Sequence, residues 1–375
     1  MTFICKLVVC LLFTLPLNLN ILFSAALVTP PLSKRLSETM MHSKWENLSP
    51  FQFEPNRSVP PMPHYKPDTQ WFKDLDYQRA IYNAWIEEID NMSTIAPLEI
   101  ETSQVEYYDD QGTPLYGTIV QRKQDEDLYS REVPGILFFH TGAGPRDIFL
   151  LWKAYSLLQA VDVLPYGGVV LICDILSDPN GWAWNPNRDR YNQVRDQLLE
   201  MRDEKGQHPL LLSRVQAAYQ TLSTVSNVDS DRMAALGWCL GGHPILQLAQ
   251  CSDLPFKAMI TFHGVFDSVP VKHQQSASLD STDDLQDDLT PKTGTPILIC
   301  NGLQDPFVKP YHLQSAIRCF QEYGYNVRVL SFPNVKHGFT NPAQDFHENH
   351  AAFAFEKNAA ATSWHETLQL LKIYL

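Results

Sequence analysis

Hydrophobic and polar positions divide the first hundred residues into three unlike stretches. Residues 3–28 are almost continuously apolar, interrupted only by Lys6, Thr14, Pro16, Asn18, Asn20 and Ser24. Residues 29–68 carry prolines at 30, 31, 50, 55, 60, 61, 63 and 67 and few apolar runs, the pattern of an extended linker or surface wrap. Then Trp71, Leu75, Tyr82, Trp85, Ile86 and Ile89 recur at helical spacing, with Asp74, Asn83, Glu87 and Asp90 between them. One amphipathic helix is predicted there, and its aromatic stripe needs a surface to pack on.

From residue 104 the period changes. Residues 105–108 and 115–121, joined by a turn, read as an antiparallel edge hairpin. Short apolar runs at 135–140, 169–174, 233–236, 258–263, 297–301 and 327–332 then alternate with helical patterns at 148–163, 210–222, from about 244, at 310–323 and within 358–374. Strands that are apolar on both faces and separated by helices predict an α/β fold, a mostly parallel sheet with helices on both faces. The expected domains are therefore a leader at 1–26, a proline-rich extension with one amphipathic helix at 27–103, and the α/β domain at 104–375.

Charge narrows the partners. Asp and Glu outnumber Lys and Arg by 42 to 29, for a net charge of -13, which argues against nucleic acid and anionic membrane surfaces. The carboxylates of residues 280–288 lack a glycine-turned loop and a nearby histidine, so they read as a solvated loop and not a metal site. In the apolar leader, Lys6 supplies a weak n-region, residues 7–15 an h-region, and Ser24-Ala25-Ala26 a small-residue cleavage signal. A secretory signal peptide is expected, hence a secreted chain with no membrane contact after cleavage. An uncleaved anchor is the alternative, against which Pro16 and two asparagines in its middle count. Sequons at Asn47, Asn56 and Asn91 fit secretion. Of seven cysteines, removal of Cys5 and Cys10 leaves five, an odd number with at least one free thiol. Cys173, Cys251, Cys300 and Cys319 lie in apolar strands or helical segments and read as buried residues, without a dense disulfide framework, although a secreted chain leaves room for one or two pairs.

The fifth cysteine stands in Gly237-Trp238-Cys239-Leu240-Gly241-Gly242, between the run 233–236 and a helical pattern. Small residues two before and two after a central nucleophile mark a strand-to-helix elbow, which strains the central residue and projects its side chain from the top of the sheet. A Cys239 thiolate would sit at a helix N-terminus, where the dipole favours negative charge. A tight turn around an inert cysteine has the same local pattern, so partners elsewhere decide. Asp305, in Asn301-Gly302-Leu303-Gln304-Asp305-Pro306, follows one strand, and His337, in Lys336-His337-Gly338-Phe339, follows the next. Nucleophile, acid, histidine is the chain order of the α/β-hydrolase triad. His337 is suited to take the thiol proton and return it to a leaving group, while Asp305 orients the ring and stabilises its cation. Backbone N–H groups of Leu240 and Gly142 are the expected oxyanion donors. Thr141, Trp182, Arg188 and Arg190 are candidate substrate contacts, the last three in a stretch around Trp184 where a lid would lie.

These segments resemble the dienelactone hydrolase family of α/β-hydrolases. The similarity lies in residues 105–117, 135–144, 228–242, 262–264, 296–308 and 337–344, spread over about 104–375. It implies one α/β-hydrolase domain, no metal or organic cofactor, and hydrolysis of a small-molecule ester or lactone by Cys239, Asp305 and His337 through an acyl-enzyme. Two positions depart from the family pattern. Members carry a glutamate at the position of Thr141 that helps form the thiolate, and some carry a carboxylate-binding arginine at the position of Asn341. A substrate without a carboxylate is therefore expected. Two other readings compete. A cysteine elbow also marks class I glutamine amidotransferases, but their histidine is followed two residues on by glutamate, where this chain has Phe339. The second is a non-catalytic binding or redox-sensing protein that keeps the fold. The oligomeric state is left open.

Overall fold

The structure is a computed structural model that describes residues 75–91, 98–123, 131–177, 189–200, 207–251, 254–269 and 294–375. The apolar leader, the proline-rich stretch, the first two sequons, Trp182, Trp184, Arg188 and the acidic segment 280–288 lie outside the described residues.

The elements in order are α1 (Leu75–Asn91), β1 (Ile100–Tyr108), β2 (Pro114–Arg122), β3 (Val133–Phe139), α2 (Ile148–Gln159), β4 (Val169–Cys173), α3 (Asp189–Glu200), α4 (Pro209–Ser223), β5 (Val228–Trp238), α5 (Gly242–Cys251), β6 (Phe256–Phe262), β7 (Pro296–Gly302), α6 (Pro310–Glu322), β8 (Asn326–Phe332) and α7 (Lys357–Tyr374). A single-turn 3-10 helix, Cys239–Gly241, links β5 to α5, and another spans Pro342–Phe346. The eight strands form one sheet in the order β1-β2-β4-β3-β5-β6-β7-β8. β1 and β2 pair antiparallel, as do β2 and β4; from β4 to β8 every pairing is parallel.

β5 runs through the centre, and its alternation sorts the core. Met233 and Ala235 face one layer, with Val215 and Leu222 of α4, Ile245 of α5 and Phe320 of α6. Ala234, Leu236 and Trp238 face the other, with Leu150 and Leu157 of α2 and Leu371 of α7. β3 and β7 are buried along their whole length, as expected of interior parallel strands. Edge strand β8 is only partly buried, and its sequence alternates accordingly.

Several elements differ in extent from the sequence reading. β1 starts at Ile100, four residues before the expected domain start at 104, because Ile100 to Ser103 continue the ladder opposite Arg122 to Ile119. β5 runs to eleven residues, Val228–Trp238, instead of four: Val228 and Asp229 pair with the start of β3 through an irregular register. α2 stops at Gln159, short of 163, where the chain turns at Ala160 and Val163. Helix α3 was not expected; its signal is the spacing of Tyr191, Val194 and Leu198, with Leu198 fully buried. Among the described residues, no helix is long and apolar enough to cross a membrane.

The predicted aromatic stripe of α1 finds its surface on α2. Ile81 and Trp85 are buried, and the Trp85 ring meets Tyr155 edge-on at 5.0 Å. The Glu88 carboxylate accepts hydrogen bonds from Trp152 Nε1 at 2.7 Å and from the Ser156 hydroxyl. Beside them Lys153 is buried with its ammonium 3.6 Å from the centre of the Trp152 ring, and burial pulls its pKa down to about 8. Trp85→Ala would empty the largest side chain at this contact and should cost about 3–5 kcal/mol. Urea unfolding followed by fluorescence checks this; a cost under about 1 kcal/mol would mean that α1 only rests on the sheet domain.

Candidate active site

The turn after β5 is built from absences. A β-carbon on Gly237 would lie 2.1 Å from the Gly241 carbonyl oxygen, and one on Gly241 would lie 2.5 Å from the carbonyl oxygen of Phe139 in β3. Only glycine lets the three backbones approach so closely. Between these glycines Cys239 is left at φ 53°, a left-handed conformation that costs a non-glycine residue about 1–2 kcal/mol. The surroundings hold it there. Trp238 is fully buried, stacked on Phe262 at 4.8 Å and edge-on to Phe138 at 5.0 Å, and the Cys239 carbonyl accepts the Val265 amide at 2.9 Å. The strained residue thus presents its side chain at the C-terminal end of the sheet.

Two loops bring partners to it. After β7, Asp305 uses both carboxylate oxygens: Oδ1 accepts the amides of Phe307 at 2.9 Å and Val308 at 3.3 Å, and Oδ2 accepts His337 Nδ1–H at 2.7 Å. After β8, the backbone of His337 is zipped to a later segment, its amide bonding the Ala352 carbonyl at 3.0 Å. The two loops are also locked to each other, since a β-carbon on Gly302 would lie 2.2 Å from the Val335 carbonyl oxygen. With Nδ1 committed to Asp305, the other ring nitrogen of His337 meets the Cys239 sulfur. The structure therefore gathers all three sequence-predicted residues, Cys239, Asp305 and His337, into one chain of hydrogen bonds.

The electrostatics follow from that chain. Burial opposes the thiolate, but the neighbouring His337 and the Gly142 amide directed at the sulfur outweigh it and bring the Cys239 pKa below its ordinary value. Burial likewise opposes a charged His337, and the sulfur and the Asp305 carboxylate outweigh it, raising the imidazole well above its ordinary value. Opposite shifts on touching groups favour a thiolate-imidazolium pair. The buried Cys173, Cys300 and Cys319 behave oppositely: burial raises all three thiols. Cys173, Cys239, Cys300 and Cys319 are free, and Cys173, Cys300 and Cys319 are buried, as the sequence reading expected.

The loop after β3 completes the site. Leu240 is the second residue of the helical turn that continues into α5, so its amide is one of the helix-start donors that have no partner within the helix. Thr141 is turned into its own loop, its hydroxyl oxygen accepting the Ala143 amide at 3.0 Å. His140 is a tie: Nδ1–H donates to the Thr141 carbonyl at 2.6 Å and Nε2 accepts the Ile175 amide at 3.3 Å, while burial holds the ring neutral with a pKa of about 4. Asn341 is also not free for substrate. It is buried, and its Oδ1 accepts the Ala343 amide at 3.0 Å to cap the short helix Pro342–Phe346. Arg190 sits on the exposed first turn of α3. Among the described residues, no group of three His, Cys, Asp or Glu side chains is placed to hold a metal ion.

Three residues here were not singled out from the sequence. His263, at φ 41° after β6, is buried with its ring centre 4.8 Å from that of His337, and its Nε2 pairs with Thr340 at 3.1 Å. Burial and the charge on His337 hold it well below its ordinary pKa, so it is neutral. Asp147 caps α2 through Phe149 at 3.0 Å, and burial pushes its carboxyl up to about 7. Phe307 packs edge-on to His337 at 4.9 Å. An acid or histidine near the triad has no fixed spacing from it, and the aromatic at 307 carries no signal in a chain with 19 phenylalanines.

Comparison with known proteins relates the chain to one family and one fold. The model of the "Dienelactone hydrolase family" matches residues 130–375. A probable 2-oxo-3-(5-oxofuran-2-ylidene)propanoate lactonase from Bradyrhizobium sp. is 24% identical over 220 residues, covering 58% of this chain and 77% of its own. An uncharacterised protein from Caenorhabditis elegans is 25% identical over 162 residues, 43% of this chain and 92% of its own. Among solved structures, a dienelactone hydrolase-like promiscuous phosphotriesterase from metagenomic libraries superimposes with a TM-score of 0.54 at 22% identity, covering 73% of this chain and 98% of its own.

The depressed Cys239 pKa has a sign that can be measured. The thiolate should already be present at pH values where an ordinary thiol, with pKa about 8.5, is still protonated. Inactivation by iodoacetamide should therefore reach its plateau below that ordinary midpoint, and His337→Ala should move the midpoint up. A wild-type rate that still climbs through pH 9 would contradict the ion pair.

Proposed function

This chain belongs to the dienelactone hydrolase family, hydrolases of ester and lactone bonds, and from that premise we propose that it cleaves a small-molecule ester or lactone through a covalent Cys239 acyl-enzyme. The observation that carries the proposal is the continuous hydrogen-bonded line from Asp305 through His337 to a cysteine held in a left-handed elbow. The Bradyrhizobium lactonase supports the lactone half of the reading.

In this mechanism the Cys239 thiolate attacks the substrate carbonyl carbon. The oxygen that becomes negative is received by the amide of Leu240 and by that of Gly142, which in the resting site points at the sulfur and passes to the oxygen as the carbon-sulfur bond forms. The tetrahedral intermediate collapses by breaking the carbon-oxygen bond of the leaving alcohol, and the imidazolium of His337 hands its proton to that oxygen. A thioester remains. His337, now neutral, takes a proton from water as the water attacks the thioester, and collapse of the second intermediate releases the acid and restores the thiolate. Asp305 keeps Nδ1 protonated and the other nitrogen aimed at sulfur in both halves.

With Thr141 where relatives have a glutamate, and its oxygen engaged within its own turn, thiolate formation falls to His337. Dependence on that histidine is the consequence. Cys239→Ala and His337→Ala should each lower kcat/KM for p-nitrophenyl acetate by about a thousandfold or more, and the double variant should be little worse than either, because residues that act as a unit are not additive. Acid quenching of the wild type during turnover should leave an acetyl group on Cys239 by peptide mass spectrometry. Activity retained in Cys239→Ala, or an unacylated Cys239 during turnover, would overturn the proposal.

A further inference from the structure

His337 is nearly enclosed, but one of the rings around it is not. His263 and Phe353 pack on it at 4.8 and 5.4 Å and are buried, whereas Phe307, at 4.9 Å, is 42% exposed. Phe307 is not a loosely placed surface aromatic. Its amide is bonded to Oδ1 of the same Asp305 whose other oxygen holds His337, and its ring also meets Phe353 at 5.2 Å. Behind it Phe353 is stacked on His347 at 4.1 Å, so the wall continues as aromatic surface. The carboxylate that orients the histidine therefore also sets the position of an exposed, uncharged ring beside it.

We propose that Phe307, backed by Phe353 and His347, forms a leaving-group subsite for an aromatic alcohol, so that the preferred substrates are uncharged esters of arylmethanols or similar flat apolar alcohols. The inference rests on the reading of Cys239, Asp305 and His337 as the catalytic set. In that reaction His337 gives its proton to the leaving oxygen, so the leaving group lies on the His337 side of the carbonyl, where, among the described residues, Phe307 is the exposed ring in contact with His337. A flat apolar group there gains ring contact and leaves water; a small alcohol leaves the ring bare. A carboxylate on the alcohol would meet aromatic carbon, and Asn341, which caps its own short helix, is not placed to replace a cation.

The test compares benzyl and methyl esters of the same acid, whose alcohols are similar in acidity, so that the ratio of kcat/KM reports binding and not leaving-group chemistry. Wild type should prefer the benzyl ester by about tenfold or more, the scale on which an apolar pocket discriminates. Phe307→Ala should reduce the benzyl-to-methyl ratio to near one, and Phe307→Leu, which keeps apolar bulk but removes the ring, should fall between. If Phe307 only buttresses His337, both esters will slow by the same factor in Phe307→Ala and the ratio will not change, which overturns the subsite. A wild type indifferent to the two esters also overturns the subsite and leaves the hydrolase reading standing. If neither ester is cleaved and Cys239 is never acylated, the hydrolase reading falls and takes this inference with it.

Discussion

The structure depends on one steric constraint, the close passage of three backbones at the end of β5. With 2.1 Å between a would-be Gly237 β-carbon and the Gly241 carbonyl, and 2.5 Å between a would-be Gly241 β-carbon and Phe139, the strand can turn directly into α5 with no intervening loop. The cost is concentrated on Cys239, which takes the left-handed conformation its neighbours avoid. Such strain persists only where the surroundings over-determine it. Here they do so through the buried Trp238 stack on one side and the Val265 amide on the other.

The same logic extends to the charged groups. A buried thiolate, imidazolium and carboxylate are each costly alone, and breaking one partner from such a set strands the others. The structure meets this by giving every member a fixed donor or acceptor. Asp305 is tied by two backbone amides and His337, the histidine by carboxylate and sulfur, and the sulfur by the histidine and the Gly142 amide. Because Asp305 and His337 stand on loops after adjacent parallel strands, the ladder between β7 and β8 sets their separation. The sheet positions the chemistry, and the loops only terminate it.

Much of this was legible from residue order. Alternating apolar runs and helical periods were enough for a parallel sheet, because a strand covered on both faces must be apolar on both. The elbow could be read from Gly237, Cys239 and Gly241 because the constraint is local. Asp305 and His337 could be read because each directly follows a strand, and strand ends in an open α/β sheet converge on one edge. Helix α3 was missed where few apolar residues marked it, although Leu198 is fully buried. The length of β5 was missed because Val228 and Asp229 join the sheet through an irregular register that no periodicity announces.

The sequence by itself determined the architecture, the elbow and the identity of the three converging residues, since all of these rest on local sterics or on chain order. Only the tertiary structure decided what surrounds them. Asn341, at a position where the family resemblance puts a substrate-binding arginine, is spent on capping its own short helix, and Thr141 on its own turn. His263 and Phe307 reach His337 from the ends of β6 and β7, 74 and 30 positions away along the chain. Such contacts have no characteristic spacing. They are fixed by which strands become neighbours and how far each loop reaches, and those are properties of the packed sheet.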